Sequence, residues 1–309
     1  MEKQKGTWLQ RILFLIALAI LSMIIASFFS TFTGFTPIIS GNVALIPIKG
    51  TISTEGTRDF FSPDVASSST IIEFIERAEK NPNIEAIIFE INSPGGSAVA
   101  SDEIASAVKK VSKPTVALIR EVGASGAYWV ASATDHIIAN RMSVTGSIGV
   151  IASYLEFSRL LENYNVTYQR LVSGEYKDLG SPFKELTDEE RNLFQEQLDL
   201  IHDFFIQEVA QNRNLSYGEI ENIATGMFYL GVKAKDLDLV DELGGKDEAI
   251  AFIENKLNIT AQIAEYKEKR TFYDILRYVF NENSFFIGKG FGSAFLDKSR
   301  EVPRISIRT

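Results

Sequence analysis

The sequence predicts an α/β fold in which helices alternate with strands around a parallel sheet. Three observations carry that expectation. The run IEAIIFEIN (84–92) is almost continuously apolar and β-rich, as a strand buried on both faces must be. The segments between such runs instead space their apolar residues for one helix face, as Ile104, Val108 and Val111 do. Strand-like and helix-like stretches then follow each other in regular order, which implies βαβ units with helices covering both faces of the sheet.

VALIPIKG (43–50) reads as the first buried strand. A helix is expected over 67–79, with Ile71, Ile72 and Ile75 at helical spacing and Asn81-Pro82 as the stop. IEAIIFEIN is broken by SPGGS, and the next helix runs to Lys113-Pro114. TVALIREV is the following strand, GASGAYWVASAT a turn and helix, and HIIAN a short strand. YQRLV (168–172) is strand-like as well. From Thr187 a longer helix begins. Thr187 and Glu190 form the T-x-x-E capping box, and Phe194, Leu198, Ile201 and Phe205 form its apolar stripe. Residues 227–243 read as strand, turn, helix and strand closing the domain. TFYDILRYVF carries a helical face of Phe272, Ile275, Leu276 and Val279, followed by the Gly- and Phe-rich NENSFFIGKGFGSAF. No internal repeat is visible.

Composition narrows the functional classes. The chain has 309 residues, 45% hydrophobic and 23% charged, ordinary for a globular protein. A net charge of −9 argues against a nucleic-acid partner, which needs a basic surface. Cysteine is absent, which removes disulfides, thiol nucleophiles and cysteine metal sites together. Only two histidines, His136 and His202, are available for zinc chemistry or an imidazole base.

Residues 12–29, ILFLIALAILSMIIASFF, carry no charge. As a helix they would span roughly 27 Å, close to the hydrocarbon thickness of a bilayer. Lys3, Lys5 and Arg11 precede them, so the positive-inside rule leaves the N-terminus cytoplasmic and exports the remainder. A cleaved signal peptide is the competing reading; it lacks an A-x-A site, Thr31-Phe32-Thr33 being the nearest substitute. The expected organisation is a cytoplasmic N-terminus (1–11), a transmembrane anchor (12–29), a linker (30–42), the main domain (43–269) and an amphipathic C-terminal extension (270–309).

Three segments could carry chemistry, and each has an ordinary explanation. Ser125 in GASGAYW lies between a strand and a helix, where small neighbours permit the sharp turn of a nucleophile elbow; a plain helix-capping serine would look the same. Pro94-Gly95-Gly96 can turn backbone amides toward a ligand, with Gly96 and Ser125 N–H groups aimed at one oxygen; it could equally be a simple turn. Lys177 in SGEYKDLGSP sits among turn residues, where a lysine is ordinarily solvated. A lysine acting as a base needs a dry pocket, since lowering an amine from ~10.4 to ~7–8 costs about 3–5 kcal/mol.

Taken in order, the three segments resemble the signal peptide peptidase (SppA, protease IV) family of membrane-anchored serine peptidases. The similarity covers about 43–256. GASGAYW is similar to the family's A-A-S-G-G-Y-Y motif, with Gly123 and Ala127 as departures; a methyl at Ala127 would narrow the nearby substrate pocket. The resemblance implies Ser125 as nucleophile, Lys177 as general base, Gly96 as the oxyanion glycine, and Ser147 in VTGSIGV as a serine that hydrogen-bonds and orients the lysine. MFYLGVKAKDLDLVDELG matches the family's closing Gly…Ala…Leu-Val-Asp…Gly pattern. Also implied are a Clp/crotonase-like fold, a homo-oligomer, no metal or cofactor, and substrates that are signal-peptide remnants and other apolar peptides. The last forty residues fall outside the match; their aromatics are expected to pack against the body or the membrane surface, the alternative being that the tail reaches a neighbouring protomer's groove.

Two rival readings stand beside this one. An α/β-hydrolase would pair Ser125 with His202 and an acid such as Asp178, although His202 falls within a helix rather than on a loop. An inactive membrane scaffold would keep the fold and lose the chemistry.

Overall fold

The parallel sheet is laid down by short β-branched runs that lie side by side in the order 263–265, 43–49, 86–93, 115–124, 136–139 and 242–243. The computed structural model describes residues 3–32, 41–55 and 65–267. Its helix α1 (Lys3–Phe32) belongs to one compact unit and the body, Ser40–Lys267, to another. The body runs β1 (Val43–Lys49), β2 (Thr51–Ser53), β3 (Val65–Ser67), α2 (Ser68–Lys80), β4 (Ala86–Ser93), α3 (Ala98–Val108), β5 (Thr115–Ala124), α4 (Gly126–Ser132), β6 (His136–Ala139) and β7 (Val144–Gly146). It continues through α5 (Ser158–Asn163), α6 (Asp188–Arg213), α7 (Tyr217–Ile223), β8 (Phe228–Leu230), α8 (Gly231–Asp236), β9 (Glu242–Leu243), α9 (Lys246–Leu257) and β10 (Ile263–Glu265).

The fold is mixed α/β, and the central strands lie where the sequence puts them. β4 pairs in parallel with β1 and β5, and Ile87, Ile88, Phe89 and Ile91 are fully buried, as a doubly covered strand requires. β7 adds a step: it pairs in parallel with the end of β5 and antiparallel with β8. β2 and β3 form a separate two-stranded sheet. Helices seal both faces. α9 lays Ala249 and Ile253 on Val43, Ile88, Val116 and Ile138, while Trp129 of α4 stacks on Phe205 of α6 at 4.8 Å between ring centres. Tyr128 is fully buried and donates its hydroxyl to Leu239 O at 2.8 Å, tying α4 to the approach to β9. The capping box expected at α6 is made in both directions, Glu190 N–H to Thr187 Oγ1 and Thr187 N–H to Glu190 Oε2.

YQRLV departs from expectation. Residues 166–172 form no strand: no other strand among the described residues lies beside them, and Leu171 is 95% exposed. Among the described residues no helix is long and apolar enough to cross a membrane. The apolar run 12–29 lies within α1, whose side chains are described only as far as Ala26. The extension 270–309, with its apolar face and Gly/Phe-rich tail, lies wholly outside the described residues, as does most of the linker 30–42.

Candidate active site

Strand β5 ends on a turn that a serine adopts only under strain. Ser125 has φ 53° and ψ −128°, a left-handed conformation that costs a non-glycine residue about 1–3 kcal/mol. It occupies the cap position of α4, yet its hydroxyl makes no capping hydrogen bond. A serine retained merely to cap a helix would use that oxygen, so the capping explanation fails. The strain leaves Oγ uncommitted and the residue half-buried.

The glycine loop after β4 packs directly on this turn. A Cβ placed on Gly95 (φ +93°) would sit 2.9 Å from Ser125 Cβ and 2.7 Å from Gly126 N. A Cβ on Gly126 would lie 3.5 Å from Gly96 N. Strand β2 holds the loop from the other side: Ile52 N–H donates to Gly95 O and Ser97 N–H to Ile52 O, both at 2.9 Å. A Cβ on Gly96 would meet Ile52 O at 2.1 Å, so only glycine fits. In this bridge Gly96 uses neither its N–H nor its C=O toward Ile52, and its amide has no acceptor among the described residues.

One expected donor is corrected here. Ser125 N–H is already engaged, donating to Gly146 O at 2.8 Å as the β5–β7 ladder runs one step past the strand end. A bonded amide cannot also hold an oxyanion. The next amide, Gly126 N–H, opens α4 and has no acceptor among the described residues, as the first N–H groups of a helix do. The two unbonded amides at this turn, among the described residues, are therefore those of Gly96 and Gly126. The elbow rule, in which the residue after the nucleophile supplies the amide, was the available signal.

Ser147 stands beside Ser125 across the same ladder, with φ 52°. Its N–H donates to Met227 O and its hydroxyl to Gly226 O, each at 3.0 Å. No hydrogen bond joins it to Lys177, contrary to the role implied for it, although its oxygen lone pairs remain able to accept one. Ser125, Gly146, Ser147 and Gly226 all have positive φ, so four unusual backbone conformations meet around one hydroxyl.

Lys177 belongs to a different kind of structure. Residues 151–186 contain one short helix and are largely exposed. Lys177 is exposed, and no hydrogen bond or ion pair joins its Nζ to another described group. Its neighbours are held. Asp178 takes two hydrogen bonds from Arg170, at 2.6 and 2.9 Å, and a third contact from Lys184 at 3.1 Å. Lys184 also reaches Glu190 at 2.5 Å, and Tyr176 donates to Glu189 at 2.6 Å. The Arg170 hydrogen bonds hold the Asp178 carboxyl well below the usual carboxylate range, and Glu189 raises the Tyr176 phenol to about 12. The loop is thus pinned to the start of α6 on both sides of an unpaired lysine.

The pattern of the sequence matches known proteins. The model of peptidase family S49 matches residues 107–260. A candidate protease of Methanocaldococcus jannaschii is 31% identical over 241 residues, covering 76% of each chain. A candidate signal peptide peptidase SppA of Enterococcus faecium is 31% identical over 233 residues, 74% of this chain and 68% of that one. The chain belongs to peptidase family S49. Among solved structures, a ClpP1 variant of Listeria monocytogenes aligns with a TM-score of 0.45 and 15% identity, over 66% of this chain and 92% of that chain.

As an S49 member the protein is a serine peptidase, and the SppA-like relatives bear out the resemblance read from the motifs. Two features look different in this peptidase's structure than in its sequence. Ala127, the departure from the family's glycine, is fully buried, so its methyl narrows no open pocket. His202 is no triad base: it lies inside α6 with Nε2 buried and unpartnered, while Asp178 is held by Arg170 and Lys184 instead.

Proposed function

We propose that this S49 peptidase cleaves peptide bonds by acyl transfer, with Ser125 as nucleophile and Lys177 as general base. The observation that carries the reading is the strained Ser125 turn, its hydroxyl uncommitted, beside the free amides of Gly96 and Gly126. Neutral Lys177 takes the Ser125 proton as Oγ bonds to the scissile carbonyl carbon, and the carbonyl oxygen becomes an oxyanion held by the two amides. The lysine then gives its proton to the departing amine as the C–N bond breaks. Water then gives a proton to the neutral Lys177 amine as its oxygen bonds to the acyl carbon, and the C–Oγ bond breaks as Lys177 returns that proton to Ser125 Oγ.

An exposed lysine is a poor base in water, so the reading requires Lys177 to be covered. Exposed Ile151, Leu155 and Leu171 on the same stretch supply apolar surface for that, at 90%, 73% and 95% exposure. Packing of protomers into a homo-oligomer with a Clp/crotonase-like fold would bury such surface and dry the amine. Residues 12–29 anchor the chain in the cytoplasmic membrane with the peptidase body outside, where signal-peptide remnants and other apolar peptides become its substrates. The charge-free run and the preceding Lys3, Lys5 and Arg11 support that placement.

The test is labelling of the full-length chain by a fluorophosphonate, followed by mapping of cleavage sites in a peptide library. Modification is expected on Ser125 and lost in Ser125→Ala, with cleavage beside apolar residues lost in Lys177→Ala. Equal labelling of Ser125→Ala would refute the assignment.

A further inference from the structure

Behind Gly126 lies a buried hydroxyl that backbone pairing does not require. Ser101 is fully buried in the first turns of α3, and its Oγ donates to Ser97 O at 2.9 Å. Ser97 O already accepts the helical hydrogen bond from Ser101 N–H at 3.0 Å. Alanine at 101 would therefore leave no backbone group unpaired, and it would suit the helix better. The hydroxyl meets something else. A Cβ on Gly126 would lie 2.2 Å from Ser101 Oγ and 3.1 Å from Ser101 Cβ, so Ser101 occupies the space directly against the Gly126 backbone.

The same hydroxyl is tied to the glycine loop. From Ser101 Oγ the links run to Ser97 O, from Ser97 N–H to Ile52 O, and from Ile52 N–H to Gly95 O. One end of this chain touches Gly126 and the other fixes the peptide that precedes the Gly96 N–H. We propose that Ser101 is a positioning residue that sets the spacing between the Gly96 and Gly126 amides, and so the fit of the oxyanion between them. Its Oγ bears on Gly126 from one side while its hydrogen bond holds the first turn of α3, and with it β2 and Gly95, on the other. Ser101 touches no substrate; it acts through the two donors. The inference rests on Ser125 being the nucleophile of the proposed acyl transfer.

The experiment uses the full-length chain in detergent. It compares wild type, Ser101→Ala, Gly126→Ala and the double variant Gly126→Ala/Ser101→Gly in kcat, KM, thermal midpoint and affinity for a peptide aldehyde. The aldehyde forms a tetrahedral adduct on the nucleophile and places an oxygen in the oxyanion site. Removing a whole oxyanion donor costs about 10²–10³ in kcat, so a displaced one is expected to cost roughly tenfold in Ser101→Ala. KM should stay within about twofold, the aldehyde should weaken by the same factor as kcat, and the midpoint should hold within about 2 °C. Gly126→Ala alone clashes with Ser101. Opening the space with Ser101→Gly should return at least about tenfold of the lost kcat. Wild-type kcat and aldehyde affinity in Ser101→Ala, or no recovery in the double variant, would overturn the proposal. A wild-type chain that the fluorophosphonate fails to label at Ser125 would instead overturn the acyl-transfer reading beneath it.

Discussion

The serine side and the lysine side of this peptidase are built in opposite ways. Ser125 follows strand β5, buried at 115–119 and again at 123–124, and is wedged among Gly95, Gly126 and Gly146, where an added methyl group would strike backbone at Gly95, Ser101 at Gly126 and the Tyr229 ring at Gly146. Lys177 stands on a stretch with little regular structure and exposed leucines and isoleucines, tied down around the lysine by ion pairs at Asp178 and by the Tyr176–Glu189 bond. The core therefore dictates the geometry of the Ser125 turn, whereas Lys177, the base proposed above, has its backbone placed but its side chain exposed.

The contrast breaks most visibly if the two sides are damaged separately. Lys177→Ala should lower kcat by about 10²–10⁴-fold, the range for loss of a general base. The thermal midpoint should not move, because an exposed, unpaired side chain supports nothing. Gly96→Ala should cost about 10²–10³-fold in kcat and also roughly 1–3 kcal/mol of stability, since its methyl would lie 2.1 Å from Ile52 O. Steady-state kinetics beside thermal melts read both. A midpoint that falls as far for Lys177→Ala as for Gly96→Ala would erase the distinction.

The two sides also differed in how plainly the sequence displayed them. IEAIIFEIN, the Thr187–Glu190 capping box and the GASGAYW turn are local signals, and each became β4, the start of α6 and the β5–α4 elbow. The identity of the second free amide was not local. It turns on β7 pairing with β5, which occupies Ser125 N–H and passes the role to Gly126. The Ile52 clamp on Gly95 and Ser97 was equally hidden, because it joins residues more than forty positions apart. YQRLV misled for the reverse reason: its composition suits a strand, but a strand needs a neighbour, and none lies beside it among the described residues. Arg170, within that segment, serves instead as the main partner of Asp178.

Asp178 offers a gentler way to loosen the lysine side alone. Its carboxyl is depressed chiefly by the Arg170 hydrogen bonds and further by Lys184. A depressed carboxylate contributes stability above its unfolded value of ~3.9, and loses it as pH falls through the folded value. At neutral pH Asp178→Asn should therefore speed proteolytic nicking within 173–186 and lower kcat/KM by roughly 3–10-fold, with the midpoint of the body unchanged. In strong acid, well below ~3.9, the nicking rate of wild type should climb toward that of the variant. Nicking that is equal in both chains at pH 7 would show that the ion pairs do not hold the loop.

His202 lies on α6, the helix to which both sides attach, and should matter to neither. Its Nε2 is buried without a hydrogen-bond partner among the described residues, and an unpaired buried polar atom costs stability. Replacing it with leucine, His202→Leu, keeps side-chain volume and improves helix propensity while removing the orphaned nitrogen. The expected gain is about 1 kcal/mol in urea unfolding, with kcat/KM within about twofold of wild type. Such a result fits a structural histidine beside Phe205, the residue that stacks on Trp129. A loss of activity as deep as that of Lys177→Ala would instead return the imidazole to the reaction and make the lysine side the structural one.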